Sequence, residues 1–474
     1  MIQLPSHHSK IVCTIGPASD ALHTLEAMLH AGMNVARLNL AHGTPAEHEA
    51  RIARIRKAAE KTQRRVAILA DLPGPKIRIG TLPAPVQLRA GSQVRLAPQA
   101  AGTAEEIPLE LPPLSRPLQQ GDRIFLNDGF LELRVEDVDE AGLHCRVVVG
   151  GTLLSHKGVN LPEISLQGGA VTSEDRKLLA FALQAGVDGL SVSFVETADD
   201  LAAVRREAQT LGFQPFLIAK IERARALRQL DSIFHAADGI MVARGDLGVE
   251  VPITEIAALQ KRLIRKARAL GKPVITATQM LESMVHNSRP TRAEVTDVAN
   301  AILDGTDAVM LSEESAMGDF PVEAVRTLAE IARVTEASRE ELHALEHDFP
   351  EAPTVESVIA RNVWQSTLQL QPQWVVTPTE TGATAARIAR YRLHTWILAF
   401  SPHLGTCQRL CLHYGVFPVQ LPSPADSWAA AVRRWFVEHG LSAGRIILTQ
   451  GPSKGHPGGT NRLEILCLDH PTEL

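Results

Sequence analysis

The order in which short β-branched runs and amphipathic stretches follow one another constrains this chain more than any other feature. A strand, then a helix, then another strand demands a parallel sheet with crossover helices. Eight strand runs recur, at 10–15, 35–40, 66–70, 187–192, 215–219, 238–243, 273–277 and 306–311. Helical periodicity follows seven of them directly, at about 20–31, 45–62, 197–211, 222–236, 252–270, 292–303 and 321–338. Such pairing predicts a closed (β/α)8 TIM barrel rather than an open doubly wound sheet, with chemistry gathered at the C-terminal strand ends.

The third strand is the exception. After Asp71-Leu-Pro-Gly-Pro75 the chain turns rich in Pro, Gly and short alternating runs, and helix periodicity returns only near Ser173. That pattern predicts an inserted all-β domain, a β-barrel over 74–168, emerging from a strand end between barrel segments 1–73 and 169–344. From about 345 the alternation restarts, with helices at 356–370 and 383–391 and strands at 374–377, 396–400 and 445–451. This predicts a separate C-terminal α/β domain over 345–474.

With 474 residues, 45% of them hydrophobic, the chain has material for a large core and two or three domains. A net charge of −5 with no polybasic arm argues against nucleic acid as a partner. No apolar stretch reaches bilayer length and the first residues lack a signal-peptide hydrophobic region, so a cytoplasmic location and no membrane partner are expected. The five cysteines are scattered without a CxxC, which suggests neither a disulfide framework nor a zinc site. Cys407 and Cys411 share a helical face and are expected to pack.

Two segments, Ile218-Ala-Lys-Ile-Glu222 and Ile240-Met-Val-Ala-Arg-Gly-Asp-Leu-Gly248, end apolar runs with charge. Magnesium favours one or two carboxylates with open positions for phosphate and water, so Glu222 and Asp246 are candidate ligands. Gly245 leaves its backbone accessible, the turn from Ala243 to Asp246 suggests an anion nest of N–H groups, and Lys220 would meet developing phosphoryl charge. Buried strand-end salt bridges are the structural alternative.

These segments resemble the pyruvate kinase family, as do Lys10-Ile-Val-Cys-Thr-Ile-Gly-Pro17, Gly32-Met-Asn-Val-Ala-Arg-Leu-Asn39, Lys157-Gly-Val-Asn-Leu-Pro162, 272–284 and 289–300. The resemblance covers nearly the whole chain. It implies transfer of phosphoryl from phosphoenolpyruvate to ADP, giving ATP and pyruvate, with positioning and cations as the main catalytic devices. By the same resemblance Arg37 binds phosphate, Glu222 and Asp246 hold Mg2+ (with Mn2+ as an alternative), Gly245 receives the substrate carboxylate and Lys220 stabilises phosphoryl and enolate charge. Thr278 would orient a water chain near the enolate carbon, because its own pKa is too high for a proton donor. Arg78 and Lys157 would contact the nucleotide phosphates, and the insertion would act as a lid that excludes water. A barrel lyase or aldolase acting on a pyruvate enolate would need neither these two residues nor the lid. A silent sugar-phosphate sensor would not need Arg37, Lys220, Glu222, Asp246 and Thr278.

The sequence also departs from the family pattern. Potassium-dependent relatives carry Asn-x-Ser-His and Asp-Thr-Lys-Gly-Pro-Glu; here the stretches read Asn39-Leu-Ala41-His42 and Asp71-Leu72-Pro73-Gly74-Pro75-Lys76. Lys76 would supply the charge of the missing ion, so no potassium requirement is expected. Glu196 stands where many relatives carry a basic residue, and Met317 where they carry lysine. In the C-terminal domain, Thr377, Thr379, Thr381, Gly382 and Thr384 precede a helix and resemble the family's effector loop, with Lys454 in a second loop; an N-cap turn is the structural alternative. A sugar-phosphate or nucleotide effector and a homotetramer are the further expectations from the family.

Overall fold

The computed structural model describes residues 4–162, 164–167, 169–338, 354–424, 427–441, 444–451 and 459–468. Eight parallel strands close into a barrel: Lys10–Thr14, Val35–Asn39, Ala67–Leu72, Gly189–Val192, Leu217–Ile221, Gly239–Ala243, Val274–Ala277 and Ala308–Leu311. The first strand closes the ring by pairing with the second at Val12↔Val35 and with the eighth at Lys10↔Ala308. Side chains alternate along each strand, and the two sets find different partners. Ile11, Cys13, Ala36 and Ile68 face the surrounding helices, whereas Val12, Val35, Leu69, Ile218, Met241 and Ile275 fill the barrel interior.

The helices expected from the sequence match their spans with two exceptions, and the C-terminal helices Leu404–Leu410 and Trp428–Glu438 had no expected span. The stretch expected as one helix over 222–236 is a 3-10 turn, Ala224–Arg228, followed by the helix Leu230–Ala236. The segment after the sixth strand, expected as a turn, is a short helix, Arg244–Glu250, ahead of Ile256–Ala269. Four barrel helices begin with a Thr whose side chain forms a capping box, at Thr44, Thr172, Thr197 and Thr291. Each box satisfies backbone N–H groups at its helix start and so fixes where the loop before it ends.

The inserted segment leaves the third strand through Ile77–Arg78 and returns through Gly158–Asn160, and these two pair antiparallel as a double-stranded neck. The two neck strands open a seven-stranded sheet that continues into the insertion over its own core, which includes Ile107, Ile124, Leu126, Leu133 and Leu153. Its edges meet through the bridge Ile79↔Leu109 and the Gly80 N–H to Pro108 carbonyl bond of 2.7 Å, so the sheet curls on itself. The C-terminal part holds a five-stranded sheet ordered Val416–Gln420, Ile397–Ser401, Trp374–Pro378, Arg445–Gln450 and Arg462–Cys467, with only the last pair antiparallel. Cys407 and Cys411 are buried there as packing residues. No helix among the described residues is long and apolar enough to cross a membrane.

Candidate active site

The inward-facing set of side chains changes character at the C-terminal end of the barrel. Val35 is followed two residues later by Arg37, Leu69 by Asp71, Ile218 by Lys220 and then Glu222, and Val12 by Thr14. Strand pairing sets Asn39 and Ser191 level with Asp71, which brings the second, third and fourth strands together at one height. Arg37 Nε donates to Asp71 Oδ2 at 2.9 Å, and its Nη1 donates to Thr14 Oγ1 at 2.9 Å. Ser191 Oγ donates to Asp71 Oδ1 at 2.6 Å. Lys220 Nζ reaches Glu222 Oε1 at 2.8 Å, Ser193 Oγ at 2.8 Å and Asp71 Oδ2 at 3.4 Å.

Burial and charge work against each other here. Burial favours the neutral Asp71 carboxyl, but Lys220 and Arg37 outweigh it and hold the pKa below the usual carboxylate range. Burial likewise opposes the Lys220 charge, yet Asp71 and Glu222 carry the ammonium up to about 12. Glu222 is the acid that burial wins: its pKa is raised by desolvation, which the charge of Lys220 only partly offsets, and by repulsion from Asp246. Its other oxygen accepts the Phe194 N–H at 2.8 Å. Two carboxylates that repel one another at the rim of a cationic cluster suit a divalent cation, whose arrival would relieve that repulsion. Among the described residues no group of three or more His, Cys, Asp or Glu could hold a metal, so any ion here takes its remaining ligands from substrate and water.

The sixth and seventh strands supply a second wall. Gly245 lies inside the helix Arg244–Glu250, and its N–H donates to Thr278 Oγ1 at 2.8 Å. The turn expected here is thus the first turn of a helix with the Gly245 N–H held by a hydroxyl, and Arg244 anchors that helix, donating to Asp297 Oδ1 at 2.8 Å, to the Thr278 carbonyl at 2.6 Å and to the Ala277 carbonyl at 3.2 Å. Thr278 itself has φ +67°. A β-branched residue in that region is strained, and such strain marks sites where surrounding structure over-determines the backbone.

Lys76 enters from the start of the insertion. Its Nζ lies 3.7 Å from Asp246 Oδ1 and 3.8 Å from Asp128 Oδ1 on the insertion. Gly158 allows this path, since a Cβ there would come within 2.9 Å of Lys76 Cε. Arg78 and Lys157 fall on the neck, where Arg78 pairs with Gly158 and donates to the His156 carbonyl at 2.9 Å. The neck thus brings both basic residues to one edge of the insertion. In the C-terminal domain Thr379 Oγ1 accepts the Gly382 N–H at 2.9 Å and Thr381 Oγ1 accepts the Ala383 N–H at 3.4 Å, so both hydroxyls hold the turn that leads into the helix Ala383–Ala389, whose N-cap is Gly382. Thr377 is buried within its strand and Thr384 Oγ1 bonds Thr460 Oγ1, while Lys454 lies outside the described residues.

Sequence reading missed Asp71, Thr14, Ser191, Ser193 and Phe194. The signal for Asp71 was present, because it ends an apolar run with an acid as Glu222 does. For Phe194 no local pattern announced the φ of +55° that turns its N–H toward Glu222. Of the two departures, Met317 is largely exposed, whereas Glu196 is half-buried and pairs with Arg223 and Arg225.

The family model described as "Pyruvate kinase, barrel domain" matches residues 6–325, and "Pyruvate kinase, alpha/beta domain" matches 357–466. A pyruvate kinase of Thermococcus litoralis is 44% identical over 98% of this chain and 100% of its own length. One from Geobacillus stearothermophilus is 43% identical over 96% of this chain and 80% of its own, and one from Methylorubrum extorquens is 40% identical over 97% of both. A closed barrel with its charged mouth, two matched domain models and similarity along nearly the whole chain agree: this protein belongs to the pyruvate kinase family.

Proposed function

We propose that the chain transfers the phosphoryl group of phosphoenolpyruvate to ADP, and that the enolpyruvate released is protonated at its methylene carbon to give pyruvate. The observation carrying this reading is the convergence of Arg37 and Lys220 over Asp71 and Glu222 at the C-terminal mouth of the barrel. Phosphoryl transfer asks a protein for positioned positive charge more than for covalent chemistry. Arg37, aimed by Asp71 and Thr14, binds the phosphate, and Lys220, kept charged by its two acids, stabilises the transferring group and the enolate. Magnesium or manganese bound by Glu222 and Asp246 would add Lewis-acid charge at the phosphoryl oxygens. Thr278, fixed against the Gly245 N–H, orients water beside the enolate carbon, and Gly245 and Asp246 line the carboxylate end of the substrate.

The same reading gives Arg78 and Lys157 to the nucleotide phosphates on a lid that excludes water. It gives Lys76 the place of a monovalent cation, supported by the 3.7 Å approach of its ammonium to Asp246. The hydroxyl-rich turn 377–384, together with Lys454, is the candidate site for a sugar-phosphate or nucleotide activator in a cytoplasmic homotetramer, a reading supported by family resemblance. Lys220→Met tests the core of the proposal. A cation about 4 Å from developing charge is worth on the order of 4 kcal/mol, so turnover should fall about a thousandfold with folding intact. Near-normal turnover in a folded Lys220→Met protein would exclude this mechanism.

A further inference from the structure

We propose that Arg223 is a positioning residue that clamps the returning hinge of the inserted domain to the barrel and so ties lid position to the metal-binding loop; this rests on the lid reading above. Arg223 is 8% exposed and directly follows Glu222. Its Nη2 donates to the Ile164 carbonyl at 2.7 Å and the Leu161 carbonyl at 3.4 Å, both in the segment that re-enters the barrel domain. Its Nη1 donates to Glu250 Oε1 at 2.7 Å and its Nε to Glu196 Oε1 at 3.2 Å. Ser165, on the same segment, donates to Glu196 Oε2 and accepts from Arg225 Nη1.

Three barrel loops therefore converge on one hinge, after the fourth strand through Glu196, after the fifth through Arg223 and Arg225, and after the sixth through Glu250. Leu161 and Ile164 also pack into the core of the insertion. A cavity of about 180 Å³ lies beneath it, lined in part by Lys76, Ile77, Leu161, Ile164 and Phe194. The buried guanidinium is matched by two carboxylates, and its rigid fork lets one side chain serve two acids and two carbonyls at once, which an ammonium on a flexible stem cannot do. Because Glu250 closes the helix that carries Asp246, and Arg223 adjoins Glu222, any rotation of the hinge pulls on both candidate metal carboxylates.

Arg223→Gln in the full-length protein tests this by two readouts. Amide exchange over 158–162 and 164–166 should accelerate by about tenfold, since local opening now breaks fewer bonds. The share of phosphoenolpyruvate lost to water, measured as pyruvate formed in excess of ATP, should rise severalfold, and Arg223→Lys should restore it only partly. Unchanged exchange would overturn the clamp, and faster exchange with an unchanged hydrolysis share would overturn its link to the lid. Should Arg223→Gln fail to fold, Glu196→Gln loosens the same hinge while the arginine keeps its bond to Glu250, and the same outcomes decide. Exchange does not depend on turnover, so a failure of the clamp is distinguished from a failure of the phosphoryl-transfer reading, which Lys220→Met reports.

Discussion

Replacing Asp71 by Asn removes one charge from a buried group of two cations and two carboxylates while preserving its shape and the Ser191 contact. Asp71 Oδ2 lies 3.4 Å from Lys220 Nζ, which corresponds to roughly 5 kcal/mol of Coulomb attraction at an effective dielectric of about 20. Desolvation cancels part of this, and deleting one partner of a buried pair typically costs about 3–5 kcal/mol because the other charge stays behind. The loss falls unevenly. Lys220 keeps Glu222 at 2.8 Å, whereas Arg37 keeps only its bond to Thr14 at 2.9 Å and is freed to swing into the mouth. Scanning calorimetry near neutral pH should show the barrel transition fall by roughly 10 °C. A double-mutant cycle with Lys220→Met should give a coupling of about 2 kcal/mol. Phosphoenolpyruvate titration should show a lower KM, from the more positive mouth, together with reduced turnover, from the misdirected Arg37. A melting shift under about 2 °C with additive double-mutant energies would refute the reasoning.

At 3.7 Å the Lys76–Asp246 attraction is about 4 kcal/mol before discounting for partial exposure and about 2 kcal/mol after it. Lys76→Glu should therefore lose about thirtyfold in potassium-free turnover and regain it on adding potassium, while the parent protein is indifferent to the ion; a parent activated by potassium would end this assignment. Thr278→Ser keeps the hydroxyl that accepts the Gly245 N–H and removes the branch at Cβ that strains φ at +67°, so the melting temperature should rise slightly; calorimetry showing destabilisation would contradict the strain argument. Burial works against the Glu336 charge, but bonds from the His8 and Ser9 N–H groups and the His8 ring lower its pKa from 4.5 to about 2. Since the folded value lies below the unfolded one, this stabilisation is complete above pH 4.5 and vanishes as pH falls toward 2, so Glu336→Gln should cost about 3 kcal/mol near neutrality and much less at pH 3. Equal losses at both pH values in urea titrations would rule it out.

Much of the site was legible because it follows strand parity. Once Ile218 faces inward, Lys220 and Glu222 must do so too, and the same rule applied to Leu69 points to Asp71. The short helix Arg244–Glu250 was not legible, since its anchor, Arg244, reaches Asp297 across more than fifty positions of sequence. The broken helix at 222–236 shows the same limit. Arg223 and Ala224 are held by Glu250, a long-range demand that overrides local helical periodicity.

The sequence by itself determined the barrel, the insertion after its third strand, the C-terminal sheet and the identity of most charged groups at the mouth, because period-2 and helical patterns are local consequences of which faces must be buried. Tertiary structure alone decided that the Gly245 N–H meets Thr278, that Lys76 reaches across to Asp246 and that Arg223 grips the hinge. Each of those contacts joins segments brought together only by barrel closure, and electrostatic energy depends on distances and burial that no linear pattern contains.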